Sequence, residues 1–131
     1  MHLQGKHALV TGGGTGIGLA IARALATEGA QVTITGRRAD VLNGVAGNGL
    51  HALQMDVSDE ASVVDGTAAA VDARGPIQIC VANAGIAEGR ALHKMTLDEW
   101  RFMMGINIDG AFLTIRESLK SMVTTDWGRV I

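Results

Sequence analysis

At 131 residues the chain has room for one domain, enough to bury roughly two-thirds of its unfolded surface. Eleven basic and thirteen acidic side chains give a formal net charge of −2, and the aromatics are two Trp and two Phe with no Tyr. That balance excludes a basic, aromatic-studded nucleic-acid surface, and the 47% apolar content suits parallel strands covered on both faces.

The opening Met1-His2-Leu3-Gln4-Gly5-Lys6-His7 has no apolar leader core, and no later run approaches the roughly 18 apolar residues of a membrane span. The chain is therefore expected to be cytoplasmic, with no membrane contact. Its single cysteine, Cys80, excludes an internal disulfide and sits in an apolar run as a buried, inert thiol. His2, His7, His51 and His93 lack ligand-like spacing, so no metal is expected.

The first element is a strand, His7-Ala8-Leu9-Val10, followed by Thr11-Gly12-Gly13-Gly14-Thr15-Gly16-Ile17-Gly18. Glycines at such a turn let an anion approach the backbone without meeting a Cβ. The following helix aims its unpaired N–H groups and positive dipole end at that anion. Ile17, Ala20, Ile21, Ala24 and Leu25 recur with helical spacing as the stripe that packs on a sheet. A second strand, Gln31 to Thr35, closes a βαβ unit, and the unit reads as a nucleotide site.

Arg38 to Ala46 reads as a short helix, Gly47-Asn48-Gly49 as a turn, and Leu50 to Met55 as the third strand. Ser58 is the expected N-cap of a helix running to about Ala73, ended by Gly75-Pro76, with Asp59 and Glu60 favouring its dipole. Ile77 to Val81 is strand four. A loop follows from Gly85 to Met95, long enough to be suspect as a site lid; within it Glu88 and Arg90 either meet a polar ligand or are solvated. One long helix is predicted from Thr96, its N-cap, towards Thr124, interrupted at Gly105 and Gly110 where tight packing or a bend is expected. Arg129-Val130-Ile131 begins a fifth strand.

Strands alternating with helices in this way predict an α/β, Rossmann-type, doubly wound parallel sheet. Ligand is then expected at the carboxyl ends of the strands: Thr11 to Gly14, Thr35 to Arg38, Met55 to Val57 and Ala82 to Gly85.

Taken together, those strand ends resemble the N-terminal half of the short-chain dehydrogenase/reductase family. Thr11-Gly12-x-x-x-Gly16-x-Gly18 is similar to that family's T-G-x-x-x-G-x-G, and Asp56-Val57 to its Asp-Val pair. Ala82-Asn83-Ala84-Gly85 is similar to N-N-A-G with the first Asn replaced by Ala. Ile106-Asn107-Ile108 and Gly128-Arg129-Val130-Ile131 complete the series.

The resemblance implies a cofactor site in residues 1–131. Gly12, Gly14, Thr15, Gly16, Ile17 and Gly18 would cradle a pyrophosphate. Asp56 would accept from the adenine amino group, with Val57 beside the ring; a plain helix-terminal acid is the alternative. Asn83, Ala84 and Gly85 would line the crevice. Gly36, Arg37 and Arg38 stand where an acid would bind the ribose 2′-OH of NAD. Two guanidinium groups there favour a 2′-phosphate, hence NADP over NAD, unless they are merely solvated. Asn107 resembles the helix Asn that holds a water in the family's proton relay; a core Asn paired with backbone is the alternative.

The family moves hydride between nicotinamide and a carbonyl or secondary alcohol, using a Ser-Tyr-Lys set. The sequence contains no tyrosine, so that set is absent, and the chain is expected to be the truncated first half of a longer enzyme, inactive alone. Lys94 to Trp100 and Trp127-Gly128-Arg129 are similar to 3-oxoacyl and acetoacetyl-CoA reductases. The family usually assembles as dimers or tetramers, implying a homo-oligomer. A non-catalytic nucleotide-binding or oligomerisation module is the competing reading. Phosphoryl transfer is excluded because no Lys-Ser/Thr follows the glycines.

Overall fold

The computed structural model of the chain describes residues 1–87 and 89–131. Five strands, β1 (His7–Thr11), β2 (Gln31–Gly36), β3 (Leu50–Gln54), β4 (Ile79–Val81) and β5 (Arg129–Val130), form one parallel sheet in the order β3-β2-β1-β4-β5. Helices α1 (Gly16–Thr27), α2 (Ala39–Val45), α3 (Glu60–Arg74), α4 (Leu97–Met104) and α5 (Gly110–Met122) connect them. The predicted doubly wound α/β architecture is the one observed.

Alternate residues of β1 serve two cores. Ala8 and Val10 face the side of α1 and α2, clustering with Ala22, Val32, Ile34, Leu42 and Val81. Leu9 faces the other side and packs with Ile77, Cys80 and Met122. A central strand buried on both faces needs this continuous apolar run. Chain order reverses between β1 and β4, which places the switch point, and so the crevice, over their carboxyl ends.

β1, β2 and α2 shift by one residue from expectation, and four further boundaries differ for reasons visible in the structure. The N-cap of α3 is Asp59, whose carboxylate accepts from the Ala61 N–H, and not Ser58, which spends its own hydrogen bonds on Asp56. β3 stops at Gln54, and Met55 begins the turn with its N–H donating to the Gly36 carbonyl. β4 starts at Ile79; Ile77 is buried, but its N–H donates to the Ser121 hydroxyl. The long helix is two α-helices joined through a π-helical turn, Gly105–Asp109, in which the Gly110 N–H reaches back to the Gly105 carbonyl. Thr96 does cap α4, accepting from the Glu99 N–H. Gly75, with φ +83°, ends α3. Among the described residues, the loop after β4 contains one 3-10 turn, Leu92–Lys94.

Candidate functional site

A cleft of about 340 Å³ opens along the carboxyl ends of β1 to β4. The β1–α1 turn contributes Gly12, Gly14 and Thr15; the end of β2 contributes Thr35, Gly36, Arg37 and Arg38, backed by Val41 and Leu42 of α2. The opposite wall is Met55, Asp56 and Val57 after β3, Ala84, Gly85 and Ile86 after β4, and Ile106 of the π turn.

The turn after β1 is shaped by its glycines. Gly12 (φ +63°) and Gly16 (φ +53°) occupy the left-handed region that disfavours other residues. A Cβ on Gly12 would approach the Asn83 amide nitrogen at 3.0 Å. Gly18 does not line the cleft. A Cβ there would lie 2.5 Å from Asn83 Nδ2 and still nearer the Gly12 carbonyl oxygen, so its lack of a side chain lets α1 sit against the turn and the Asn83 amide. Gly16 and Ile17 open α1 exposed to solvent.

The start of α1 is electrostatically bare. Thr15 makes no capping hydrogen bond and the first turn carries no acid, whereas α3 and α4 have a side-chain cap and acidic residues there. The positive end of the α1 dipole therefore faces the cleft with no acidic residue in its own first turn.

The ends of β1 and β4 are stitched together by side chains. Thr11 Oγ1 accepts from the Ala84 N–H at 3.0 Å and donates to the Val81 carbonyl at 3.5 Å. Asn83 Nδ2 donates to the Thr11 carbonyl at 3.1 Å, with the Gly12 carbonyl at 3.4 Å. Asn83 thus holds the glycine turn from behind and does not itself line the cleft. Thr11 was visible only as a letter of the motif; its stitching role depends on β4 arriving beside β1.

Asp56 is the one carboxylate among the described lining residues. Ser58 donates to its Oδ1 twice, from the N–H at 3.0 Å and the hydroxyl at 2.7 Å. Those bonds, with the nearby Arg37 charge, hold the carboxyl below its ordinary 3.8 against the opposing effect of burial. The Asp56 N–H donates to Ser62 Oγ at 2.9 Å. Asp56 is therefore an ionised, oriented acceptor whose second oxygen has no protein donor among the described residues. Ser58 and Ser62 were missed as its supports, because their spacing alone reads as helix capping.

Asn107 sits within the π turn and outside the cleft lining. Its Oδ1 accepts from the Ile86 N–H at 2.8 Å and its Nδ2 donates to the Ile86 carbonyl at 2.8 Å. The amide thereby mimics a strand partner for Ile86. Gly85 is needed beside it, since a Cβ there would stand 3.1 Å from Asn107 Oδ1. Gly110 closes the turn against the cleft wall, where a Cβ would meet Val57 Cγ2 at 2.8 Å. The tight packing expected at Gly110 is therefore packing on Val57.

Arg90 pairs with Glu99 of α4 at 2.8 Å, and Glu88 lies outside the described residues. Cys80 is fully buried, and burial pushes its thiol above the ordinary value. Among the described residues no group of His, Cys, Asp or Glu could hold a metal ion, and no helix is long and apolar enough to cross a membrane.

Known proteins share this framework. A protein-family model described as short chain dehydrogenase matches residues 6–131. The chain is 40% identical to an NADP-dependent (R)-specific alcohol dehydrogenase of Lentilactobacillus kefiri, across 98% of this chain and 53% of that protein. It is 35% identical to a 3-oxoacyl-[acyl-carrier-protein] reductase of Aquifex aeolicus, across 98% of this chain and 55% of that one. The crystal structure of a blue fluorescent protein from a metagenomic library, in complex with NADPH, superposes with a TM-score of 0.91 at 35% identity, covering 99% of this chain and 56% of the other. The chain spans about half the length of the curated relatives it matches. By its matched motifs, its sheet order and these relatives, the chain belongs to the short-chain dehydrogenase family.

Proposed function

We propose that residues 1–131 form the NADP(H)-binding Rossmann domain of an oxidoreductase that moves hydride between nicotinamide and a carbonyl or secondary alcohol. The observation that carries this reading is the cleft corner formed by Gly36, Arg37 and Arg38. It places two arginines, and no acid among the described residues of that corner, at the end of β2, where a 2′-phosphate would lie. The relatives named as NADP-dependent or crystallised with NADPH support the same choice, and NAD is the less favoured cofactor.

The residues present fit such a group. Gly12, Gly14, Thr15, Gly16 and Ile17 offer the pyrophosphate a bare helix end, with Gly18 and Asn83 keeping the turn in place. Asp56 is poised to accept from the adenine amino group, and Val57, Ile86 and Ile106 supply an apolar slot for the ring. Ala84 and Gly85 leave room at the end of β4. When bound, the cofactor supplies the hydride. Asn107 is the one residue here assigned a catalytic place, holding the Ile86 backbone and, through its remaining hydrogen-bonding capacity, a relay water. A 3-oxoacyl or acetoacetyl-CoA type carbonyl is the preferred substrate, in line with the reductase relative.

The proton-transfer group lies outside these residues, because they contain no tyrosine. Exposed Trp100, Phe102 and Phe112 on α4 and α5 support assembly with further copies as a dimer or tetramer; the cytoplasm is the proposed location. The missing tyrosine also favours a second reading, a non-catalytic nucleotide-binding or oligomerisation module.

Titration with NADPH and NADH tests the cofactor assignment. NADPH should bind about tenfold more tightly, a difference of about 1.4 kcal/mol, and equal or tighter NADH binding refutes the role of the arginines. The 131 residues alone should bind NADPH without reducing a 3-oxoacyl thioester, and turnover by them would place the proton donor inside this chain. A whole polypeptide that binds NADPH yet reduces no carbonyl would select the module reading.

A further inference from the structure

The two arginines at the cleft corner stand on a loop with few restraints of its own. β2 ends at Gly36, which pairs in register with Gln54, the last residue of β3. The Gly36 carbonyl still receives the Met55 N–H at 2.9 Å, so the backbone ladder reaches that residue. The next carbonyl, that of Arg37, lies beyond β2, and Gln54 reaches across with its side chain, Nε2 donating to Arg37 O at 2.8 Å. Arg38 then stands at the N-cap position of α2 with no side-chain cap, its carbonyl accepting from the Leu42 N–H. The backbone of the two arginines is thus restrained at Arg37 O by Gln54 and at Arg38 O by the first turn of α2.

We infer that Gln54 is a positioning residue for cofactor discrimination, its amide extending the β2–β3 ladder by one carbonyl so that Arg37 and Arg38 are presented to a 2′-phosphate. Turning the Arg37 carbonyl towards β3 sets that residue's ψ and, with it, the directions in which both side chains leave the corner. A guanidinium recognises phosphate through two planar N–H bonds, so its orientation matters more than its charge alone. Gln54 itself lies outside the cleft lining, touches no cofactor atom in this scheme and belongs to no matched motif.

The inference rests on the arginine reading above, and the experiment separates the two. Adenosine 2′,5′-bisphosphate and 5′-AMP, which differ only in the 2′-phosphate, are titrated into the wild type, Gln54→Leu, Arg37→Ala and the double variant. Gln54→Leu keeps the bulk of the side chain and removes the donor. It should weaken bisphosphate binding about fivefold, the worth of one hydrogen bond, and leave 5′-AMP within about twofold. In the Arg37→Ala background the same change should have a smaller effect, because the two act as one unit. Equal weakening of both ligands by Gln54→Leu, or no weakening of either, overturns the inference. If Arg37→Ala leaves the bisphosphate unaffected, the arginine reading itself fails. Unchanged 5′-AMP binding reports a folded cleft, and Gln54→Ser replaces the leucine variant should that one not fold.

Discussion

Replacing Gly18 by alanine tests the central physical claim about the site, that α1 lies too close to the glycine turn and to Asn83 for a side chain. The added methyl would sit 2.5 Å from Asn83 Nδ2, about 0.9 Å inside the 3.4 Å at which ordinary contact begins, and closer still to the Gly12 carbonyl. The Gly12 obstacle is backbone, so relief requires α1 to lift away or the turn to open. Either movement strains the bonds from Asn83 to Thr11 and Gly12. Overpacking of this kind costs about 1–3 kcal/mol, and the perturbed Asn83 bond adds about 1 kcal/mol. A loss near 2–3 kcal/mol should move the urea midpoint down by about 1 M. NADPH affinity should fall with it, because the cradle is what moves. Gly44→Ala in α2 is the control. Nothing lies within 4 Å of its added methyl, and the exposed helix should gain about 0.5–1 kcal/mol. A Gly18→Ala protein within about 0.5 kcal/mol of wild type, with undiminished NADPH binding, would refute the close-approach argument.

Three further outcomes follow from the geometry. Asn107→Ala removes both bonds to Ile86 and should cost about 2–3 kcal/mol in urea unfolding, with increased hydrogen exchange at the Ile86 amide; protection equal to wild type would show that the clamp is dispensable. Gly36→Asp should fit, since a Cβ there meets only Leu42 side-chain atoms at 3.6 Å or more, and should shift preference from NADPH towards NADH by at least tenfold; an unchanged Kd ratio would place the ribose elsewhere. His7 donates from Nδ1 to the Gly75 carbonyl, which assigns Nε2 as acceptor from the Thr33 hydroxyl. Burial, the largest effect, lowers its pKa from the ordinary 6.5, so between the lowered value and 6.5 the unfolded chain binds more protons than the folded one. Stability should therefore be complete above about pH 6.5 and decline as pH falls through that window; His7→Gln should flatten the slope measured by urea unfolding, and a slope unchanged by that substitution would remove His7 as its source.

The β1–α1–β2 unit was legible because its apolar periods and turn glycines are local signals, and the cleft lay where strand-end composition placed it. The remainder depended on partners distant in the chain. Ser58 and Asp59 are equally good N-caps in isolation, and Asp59 holds the position because the Ser58 hydroxyl and N–H are both engaged by Asp56. Apolar spacing from Thr96 onward is satisfied by one helix or by two joined through a π turn. The inserted turn becomes intelligible only when Asn107 is seen clamping Ile86 and Gly110 resting on Val57. Gly18 belongs to the motif, yet it lies outside the cleft lining and the space of its side chain is taken by the Gly12 carbonyl and Asn83. Gln54 carries no sequence signal, since its importance arises from the register that sets it opposite Gly36.

The stitches between β1 and β4 also predict an order of events in folding. β1, β2 and β3 are consecutive in both chain and sheet, so they can zip together through short crossovers. The Thr11, Asn83 and Ala84 bonds that complete the cleft instead join residues 71 to 73 positions apart. Closing that span adds only about 1 kcal/mol of loop entropy over the neighbouring crossovers, but it must be met before any of the contacts rewards it. The sequence separation of these bonds predicts that the β4 side of the cleft is completed last: with β1, β2 and β3 paired, the glycine turn would still lack the Asn83 and Ala84 bonds that fix it. Ligand capture during refolding would thus mark the arrival of β4, and a bound cofactor would act as a latch on the longest-range contacts of the sheet.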